Sequence, residues 1–225
     1  MNLSDRLTRS QKRAIRTRRA IMRSAQTLFA RNGFNQVTIA DVTDLADVAL
    51  GSFYNYFDNR DHIIDAVLQD TSESQERFHL PVSVQLEDCA EGVIIARFVS
   101  TAHRCQLDPV WADLAHQATL IERWPLPEML DQTRRNLVRL PDSDSLHVEA
   151  DLNTEYAERL IIAVTAMLFD SSRTSDLETE IRVGLSSLLR ALDFTDKATR
   201  YWVEAATAIP LDLDALADAR DNGDI

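Results

Sequence analysis

The sequence predicts an all-α chain, and three observations carry that expectation. The 225 residues include only 5 glycines and 6 prolines, whereas hairpins and barrels use glycine at their turns and globular chains average about 7% of it. No proline occurs in residues 1 to 80, five lie between Pro81 and Pro141, and the last is Pro210, which permits long uninterrupted helices at both ends. Apolar residues also recur at helical spacing where the pattern is clearest. With 45% hydrophobic and 27% charged residues, the chain is of ordinary globular composition and can bury a sizeable core in one or two domains. Disordered and collagenous classes are excluded.

Helices are expected near 11 to 32, 38 to 46, 50 to 57, 60 to 79, 85 to 106, 109 to 122, 127 to 139, 151 to 172, 176 to 193 and 196 to 208. In the first, Ile21, Ala25, Leu28 and Phe29 recur at i, i+4, i+7, i+8, while Arg16, Arg19 and Arg23 line another face. Gly33 supplies its stop. Thr38-Ile39-Ala40-Asp41 reads as a capping box with a shortened acid, and Ile39, Val42, Leu45 and Ala46 form the buried face of the second helix. In the third, Leu50, Phe53, Tyr54 and Phe57 fall within one arc of about 100°, and Gly51, Ser52, Asn55 and Tyr56 occupy the opposite arc. Asn59 caps the fourth, with Arg60 in its first turn and Pro81 close behind it. Leu160 to Phe169 is apolar nearly all round, so the eighth helix must bury two faces. The ninth carries a stripe of Ile181, Leu185, Leu188 and Leu192 flanked by small Gly184, Ser187 and Ala191. Residues 211 to 225, with five Asp and one Arg, form an acidic tail that is expected to fray into solvent.

The formal net charge is −12, yet its distribution is lopsided. Residues 1 to 35 hold nine basic side chains (Arg6, Arg9, Lys12, Arg13, Arg16, Arg18, Arg19, Arg23, Arg31) and the single acid Asp5, whereas residues 69 to 225 hold 14 basic and 29 acidic ones. A basic segment on an acidic body is an electrostatic footprint for a polyanion. The two short helices that follow, separated by about three residues, have the arrangement of a helix-turn-helix. The major groove of DNA admits one helix and offers donors and acceptors on base edges. Asn pairs with adenine there, Ser donates or accepts, and Gly lets the backbone come close.

Gly33-Phe34, Thr38-Ile39, Asp41-Val42, Ala46 and the run from Gly51 to Arg60 (GSFYNYFDNR) resemble the DNA-binding domain of the TetR/AcrR family of bacterial transcriptional regulators over roughly residues 14 to 68. The resemblance implies phosphate contacts at Thr38, Tyr56 and Arg60, base-facing positions at Gly51, Ser52 and Asn55, and an N-terminal arm around Arg13 and Arg16 reaching backbone or minor groove. Three residues depart from the family pattern. Asp47 replaces the turn Gly and tolerates the left-handed conformation better than most residues. Ala49 replaces a capping Ser or Thr, a loss of about 1 kcal/mol. Arg60 replaces Lys and adds a planar fork.

These readings divide the chain into a helix-turn-helix domain with a basic arm (1 to 68), a helical effector-binding and dimerisation domain (69 to 210) and the acidic tail (211 to 225). Beyond residue 80 the resemblance fades. The stripe of the ninth helix and the two-faced eighth helix suit packing on their own domain on one side and on a second copy on the other, with Leu160, Val164, Gly184, Ser187, Leu188 and Ala191 at the interface. The family resemblance points likewise to a four-helix dimer interface. Val93, Ile94, Phe98, Trp111, Trp124, Met129 and Phe169 are candidates for a ligand cavity. Arg97, Arg104, Arg134 and Arg135 are read chiefly as solvated faces, with an anionic headgroup as their alternative role.

Motifs for chemistry are sparse. Glu76-x-x-His79 and Asp113-x-x-His116 share the spacing found in carboxylate-bridged di-metal bundles, but His79 abuts Pro81 and the Asp departs from that motif, so no metal and no cofactor is expected. There is no Gly-rich phosphate loop, Cys/His cluster or Gly-x-Ser-x-Gly elbow. Cys89 and Cys105, sixteen residues apart on one helical segment, lie roughly 24 Å from each other and cannot pair within the chain. A reducing compartment follows as the simpler reading. The N-terminus lacks the apolar run of a signal peptide and no stretch is long enough to span a bilayer, so the expectation is a cytoplasmic homodimer without membrane contact. It binds a double-stranded DNA operator, senses a small-molecule effector and is no enzyme. A helical enzyme or metal-binding bundle with a vestigial helix-turn-helix is the alternative, and a regulator answering to a protein partner is a third reading.

Overall fold

A computed structural model describes residues 8–83, 89–125, 127–140, 144–147, 153–171 and 176–209. Its elements are α1 (Arg9–Asn32), α2 (Ile39–Leu45), α3 (Leu50–Phe53), α4 (Arg60–Ser83), α5 (Ala90–Leu107), α6 (Pro109–Leu120), α7 (Pro127–Leu137), α8 (Thr154–Ser171), α9 (Leu177–Ala191) and α10 (Asp196–Thr207). No strand occurs among the described residues, and the chain divides into two compact units, Met1–Asp70 and Thr71–Ile225. The acidic tail lies outside the described residues.

In the first unit, α1 begins at a capping box: the Thr8 side chain accepts from the Gln11 backbone N–H, and the Gln11 side chain accepts from that of Thr8. Arg13 and Arg16 are therefore helical and exposed, because the cap at Thr8 starts the helix before them and good helix formers carry it through. Gly33 ends α1 with φ 78°, a conformation that glycine adopts without strain. Ile21, Ala25, Phe29, Phe34, Val42, Phe53, Phe57, Ile63 and Val67 are buried together as the core of this unit. Each large side chain contributes about 1.5–3 kcal/mol by leaving water. Phe29 and Phe34 stack at 4.8 Å between ring centroids, and Gln26 donates to Asp70 at 2.7 Å.

Two boundaries differ from expectation. The third helix stops at Phe53 and continues as turns, not helix, to Tyr56, so the arc that was to bury Leu50, Phe53, Tyr54 and Phe57 holds only for the two phenylalanines. Leu50 and Tyr54 stay 50% and 53% exposed. The fourth helix does not break at Pro81. That residue removes one backbone bond, to the carbonyl four residues back, and the helix runs two residues further before ending.

The second unit is built around α5, whose residues from Ala90 to Cys105 are nearly all buried. It packs against α6, α7, α8, α9 and α10. Cys89 caps α5, accepting through Sγ from the Gly92 N–H, and Cys105 is buried; neither is in a disulfide. Leu146 bridges Phe194, and the His147 N–H donates to the Asp193 carbonyl at 3.1 Å, which pins residues 144–147 to the turn between α9 and α10.

The face of α9 proposed for a second copy needs correction. Ile181, Leu185, Leu188 and Leu192 all lie in the chain's own core, Leu188 with no exposed surface. Gly184 serves the same packing, since a Cβ there would meet Phe98 of α5 at 2.7 Å. Its small size admits α5 of the same chain. Leu160 and Val164 also pack partly against this core. Ser187 and Ala191 alone of the proposed interface are exposed.

Candidate nucleic-acid interface and ligand cavity

The helix-turn-helix is set by local bonds. Thr38 caps α2, its Oγ1 accepting from the Asp41 N–H at 3.2 Å while the Asp41 carboxylate accepts from the Thr38 N–H at 2.8 Å. That backbone bond, together with the Thr38 hydroxyl, holds the Asp41 carboxyl below its ordinary range. Asp47 makes the turn in the left-handed region, φ 52°. Ala49 begins α3 with no side-chain cap bond. Gly51 and Asn55 are exposed and Ser52 and Tyr56 half-buried. A Cβ on Gly51 would meet nothing within 4 Å, so its backbone is open to close approach.

Arg60 behaves differently from a free phosphate ligand. Its guanidinium donates through Nε to the Val37 carbonyl at 2.9 Å and through Nη2 to the Phe34 carbonyl, tying the start of α4 to the loop between α1 and α2. Asn59 accepts from the His62 N–H at 2.9 Å, the cap expected of it. Leu50 and Tyr54, which sequence reasoning buried, share the exposed surface with Gly51 and Asn55. The early end of α3 exposes them, and no periodicity signals it.

The second unit contains an apolar cavity of about 80 Å³, several times what one water needs. Ile94, Phe98, Trp111, Trp124, Met129 and Phe169 all line it. Val93, one position away from Ile94 on α5, does not. Trp111 stands edge-on to both Trp124 and Phe169, with centroids 6.1 and 6.0 Å away, and its indole N–H donates to the Thr71 carbonyl at 3.1 Å.

Apart from Arg97, whose alternative role is toward an anionic headgroup, the polar lining escaped sequence reasoning. Gln75, His79, Arg97, Thr101 and Asn136 also border the cavity. Gln75 Nε2 donates to Thr101 Oγ1, whose own proton goes to the Arg97 carbonyl at 2.8 Å. Gln75 Oε1 is buried and meets no donor among the described residues. His79 Nδ1 lies 3.0 Å from Ser100 Oγ. That serine donates to the Arg97 carbonyl at 3.1 Å, which assigns the N–H to Nδ1 and the acceptor role to Nε2; Nε2 too is buried without a partner among the described residues. Burial, aided by the Arg97 charge, pushes the His79 pKa down to about 3, so the ring is neutral at pH 7. The detectable signal was a polar stripe: Thr71, Ser72, Gln75 and His79 recur at i, i+1, i+4, i+8 on the buried face of α4.

Two of the arginines read as solvated, Arg97 and Arg104, prove otherwise, while Arg134 and Arg135 are exposed as expected. Arg97 grips Glu76 through two bonds of 3.0 and 3.1 Å, and this spends the carboxylate of the Glu76/His79 pair. Arg104 is buried, donates to Ser74 at 3.0 Å and lies 4.7 Å over the Trp111 ring. Arg134 pairs with Glu158. Among the described residues no group of three or more His, Cys, Asp or Glu is gathered to hold a metal, and no helix is long and apolar enough to cross a membrane.

An exposed helix-turn-helix beside basic α1, in a chain with a second, cavity-bearing helical unit, defines a DNA-binding regulator of transcription. Residues 21–67 match the model of bacterial regulatory proteins of the tetR family, and the helix-turn-helix domain belongs to that family. The chain is 24% identical over 158 residues to the HTH-type transcriptional repressor KstR2 of Rhodococcus jostii (strain RHA1), spanning 70% of this chain and 68% of that protein. A γ-butyrolactone receptor described as ArpA-like shares the fold at a TM-score of 0.66 and 17% identity, over 94% of this chain and 100% of that one. The complex of RolR with resorcinol matches at a TM-score of 0.55 and 25% identity, over 89% of this chain and 97% of that one.

Proposed function

We propose that the protein is a homodimeric repressor that binds a pseudo-palindromic operator through its first unit and is released by a small apolar or amphipathic molecule entering the cavity of its second. One observation carries the reading: the helix that starts with Arg60 at the helix-turn-helix is the one whose later turns place Gln75 and His79 at the cavity. A ligand that favours one arrangement of α4 changes DNA affinity by the difference of its affinities for the two arrangements, and DNA weakens the ligand reciprocally. RolR, solved with resorcinol, supports a small-molecule role for a cavity in this fold. Gly51, Ser52 and Asn55 read bases, while Thr38, Tyr56, Arg13 and Arg16 hold phosphates.

The second copy is assigned to a face that keeps Ser187 and Ala191 of the one the sequence suggested and leaves out its buried members. Tyr156, Ala163 and Met167 of α8 and Val183, Ser187 and Ala191 of α9 are all exposed, at spacings that keep each set on one side of its helix. Met167 is 67% and Val183 60% exposed, and a two-fold contact along this face puts four helices together. It supplies the symmetry that reads two half-sites.

The test selects binding sites for the purified protein from randomised duplex DNA, then titrates the selected site across salt and with candidate effectors. The expected result is an inverted repeat whose log K falls linearly with log salt and whose affinity drops when effector is added. Selected sites without two-fold symmetry, or an effector that binds the second unit and leaves operator affinity unchanged, overturn the reading.

A further inference from the structure

We infer that the cavity ligand is a neutral molecule with a hydroxyl group on an apolar, aromatic-sized body, and that the hydroxyl docks between Gln75 Oε1 and His79 Nε2. The inference rests on the effector reading above and deepens it. Both atoms belong to residues with 4% of their surface exposed, both residues line the cavity, and neither atom meets a hydrogen-bond partner among the described residues. Their orientations are set from behind: Thr101 takes the Gln75 amide N–H, and Ser100 takes the imidazole Nδ1. Two acceptors left bare in an apolar space are costly until a donor reaches them.

The rest of the lining fixes the class of molecule. Phe98, Trp111 and Phe169 offer apolar and aromatic surface, suited to a ring or a compact hydrocarbon. A carboxylate would set its oxygens against two acceptors, and the guanidinium at the wall, Arg97, already holds Glu76 in a two-bond grip. An ether or a bare hydrocarbon brings no proton. A hydroxyl donates its one proton to one of the two acceptors, and a molecule with two hydroxyls satisfies both. Selection then follows the asymmetry seen wherever a site is built to bond an OH: analogues that lack it leave the buried partners unpaired and are rejected.

The experiment is calorimetric titration of the full-length protein with 4-ethylphenol, 4-ethylanisole and 4-ethylbenzoate, three probes of closely similar size. The expected result is that 4-ethylphenol binds at least about tenfold more tightly than either of the others. The double variant Gln75→Leu, His79→Leu should remove or invert that preference, and the single variant Gln75→Leu should weaken it. Equal or tighter binding of 4-ethylanisole overturns the hydroxyl assignment while leaving the cavity as an effector site. A preference for 4-ethylbenzoate overturns it in favour of anion recognition. Binding of none of the three removes the effector reading itself and this inference with it. The wild-type series decides the matter even if the variants fail to fold.

Discussion

Gly184 on α9 faces the ring of Phe98 on α5 so closely that a Cβ would lie 2.7 Å from Cζ, and Phe98 is also part of the cavity wall. A glycine inside a helix costs about 1 kcal/mol relative to alanine, and here it gives the ring room. Gly184→Ala should push Phe98 toward the cavity that it lines. The expected outcome is a net loss of stability of no more than about 2 kcal/mol, since helix propensity offsets part of the overpacking. A weakening of ligand binding larger than that stability loss is expected alongside it. Thermal unfolding and calorimetry on the same preparation check both, and unchanged ligand affinity would show that the ring moves elsewhere.

Arg60 and Asn55 should separate stability from base reading. Removing the guanidinium in Arg60→Ala leaves the Phe34 and Val37 carbonyls without that donor, a loss of about 1–2 kcal/mol for a half-buried charged bond pair. Arg60→Lys should rescue little, because an ammonium on a flexible stem does not reproduce the fork. Asn55→Ala should leave the melting temperature unchanged and relax base preference at one position by ~1–3 kcal/mol. Melting curves beside binding to single-base operator variants distinguish the two. An Arg60→Ala protein as stable as wild type would contradict the structural role.

For the dimer, Met167→Arg or Val183→Arg should yield folded monomers, whereas Leu188→Arg should unfold the second unit. The first two place a charge on the exposed face proposed for a second copy; the third buries one in the chain's own core. Sedimentation together with circular dichroism reads both properties. Met167→Arg that stays dimeric removes this face from the interface.

Stability should fall as pH drops below about 6.5. Burial pushes the His79 pKa down to about 3 and that of His103 to about 4, so between these values and 6.5 the unfolded chain binds more protons than the folded one. The slope of unfolding free energy with pH is then positive. Stability is fully present above the unfolded pKa and declines as pH falls toward the folded values. Urea titrations from pH 7 to pH 5 measure it, and His103→Gln should flatten the slope by its share. A wild-type slope of zero in that window would mean that both rings stay open to protons.

Much of the helix-turn-helix was legible because its determinants are local. The Thr38 and Asp41 box and the glycine stop at Gly33 involve residues within a few positions of one another, so each can be read where it stands, while the turn at Asp47 and the uncapped start at Ala49 are read against the family pattern. The periodicity of α1 announced which side Ile21 and Phe29 would bury. The end of α3 at Phe53 was not legible. Helical spacing extends the arc to Phe57, and only the packing of Phe53 and Phe57 against the rest of the unit shows that the chain turns instead.

By itself, then, the sequence determined that the chain is helical, where its helices lie to within a few residues, and that a basic, groove-sized motif stands at one end, because propensity, capping and charge act along the chain. Tertiary structure alone decided how α9 faces, where Arg60 spends its guanidinium and which polar atoms the cavity leaves bare. The stripe of Leu185 and Leu188 suits a partner helix as well as the chain's own core, and only the closeness of Gly184 to Phe98 tells them apart. Gln75 and His79 resemble any polar pair at i, i+4 until Thr101 and Ser100, more than twenty residues later, take one hydrogen-bonding group from each. Burial and hydrogen-bond completion depend on residues that meet only when the helices pack.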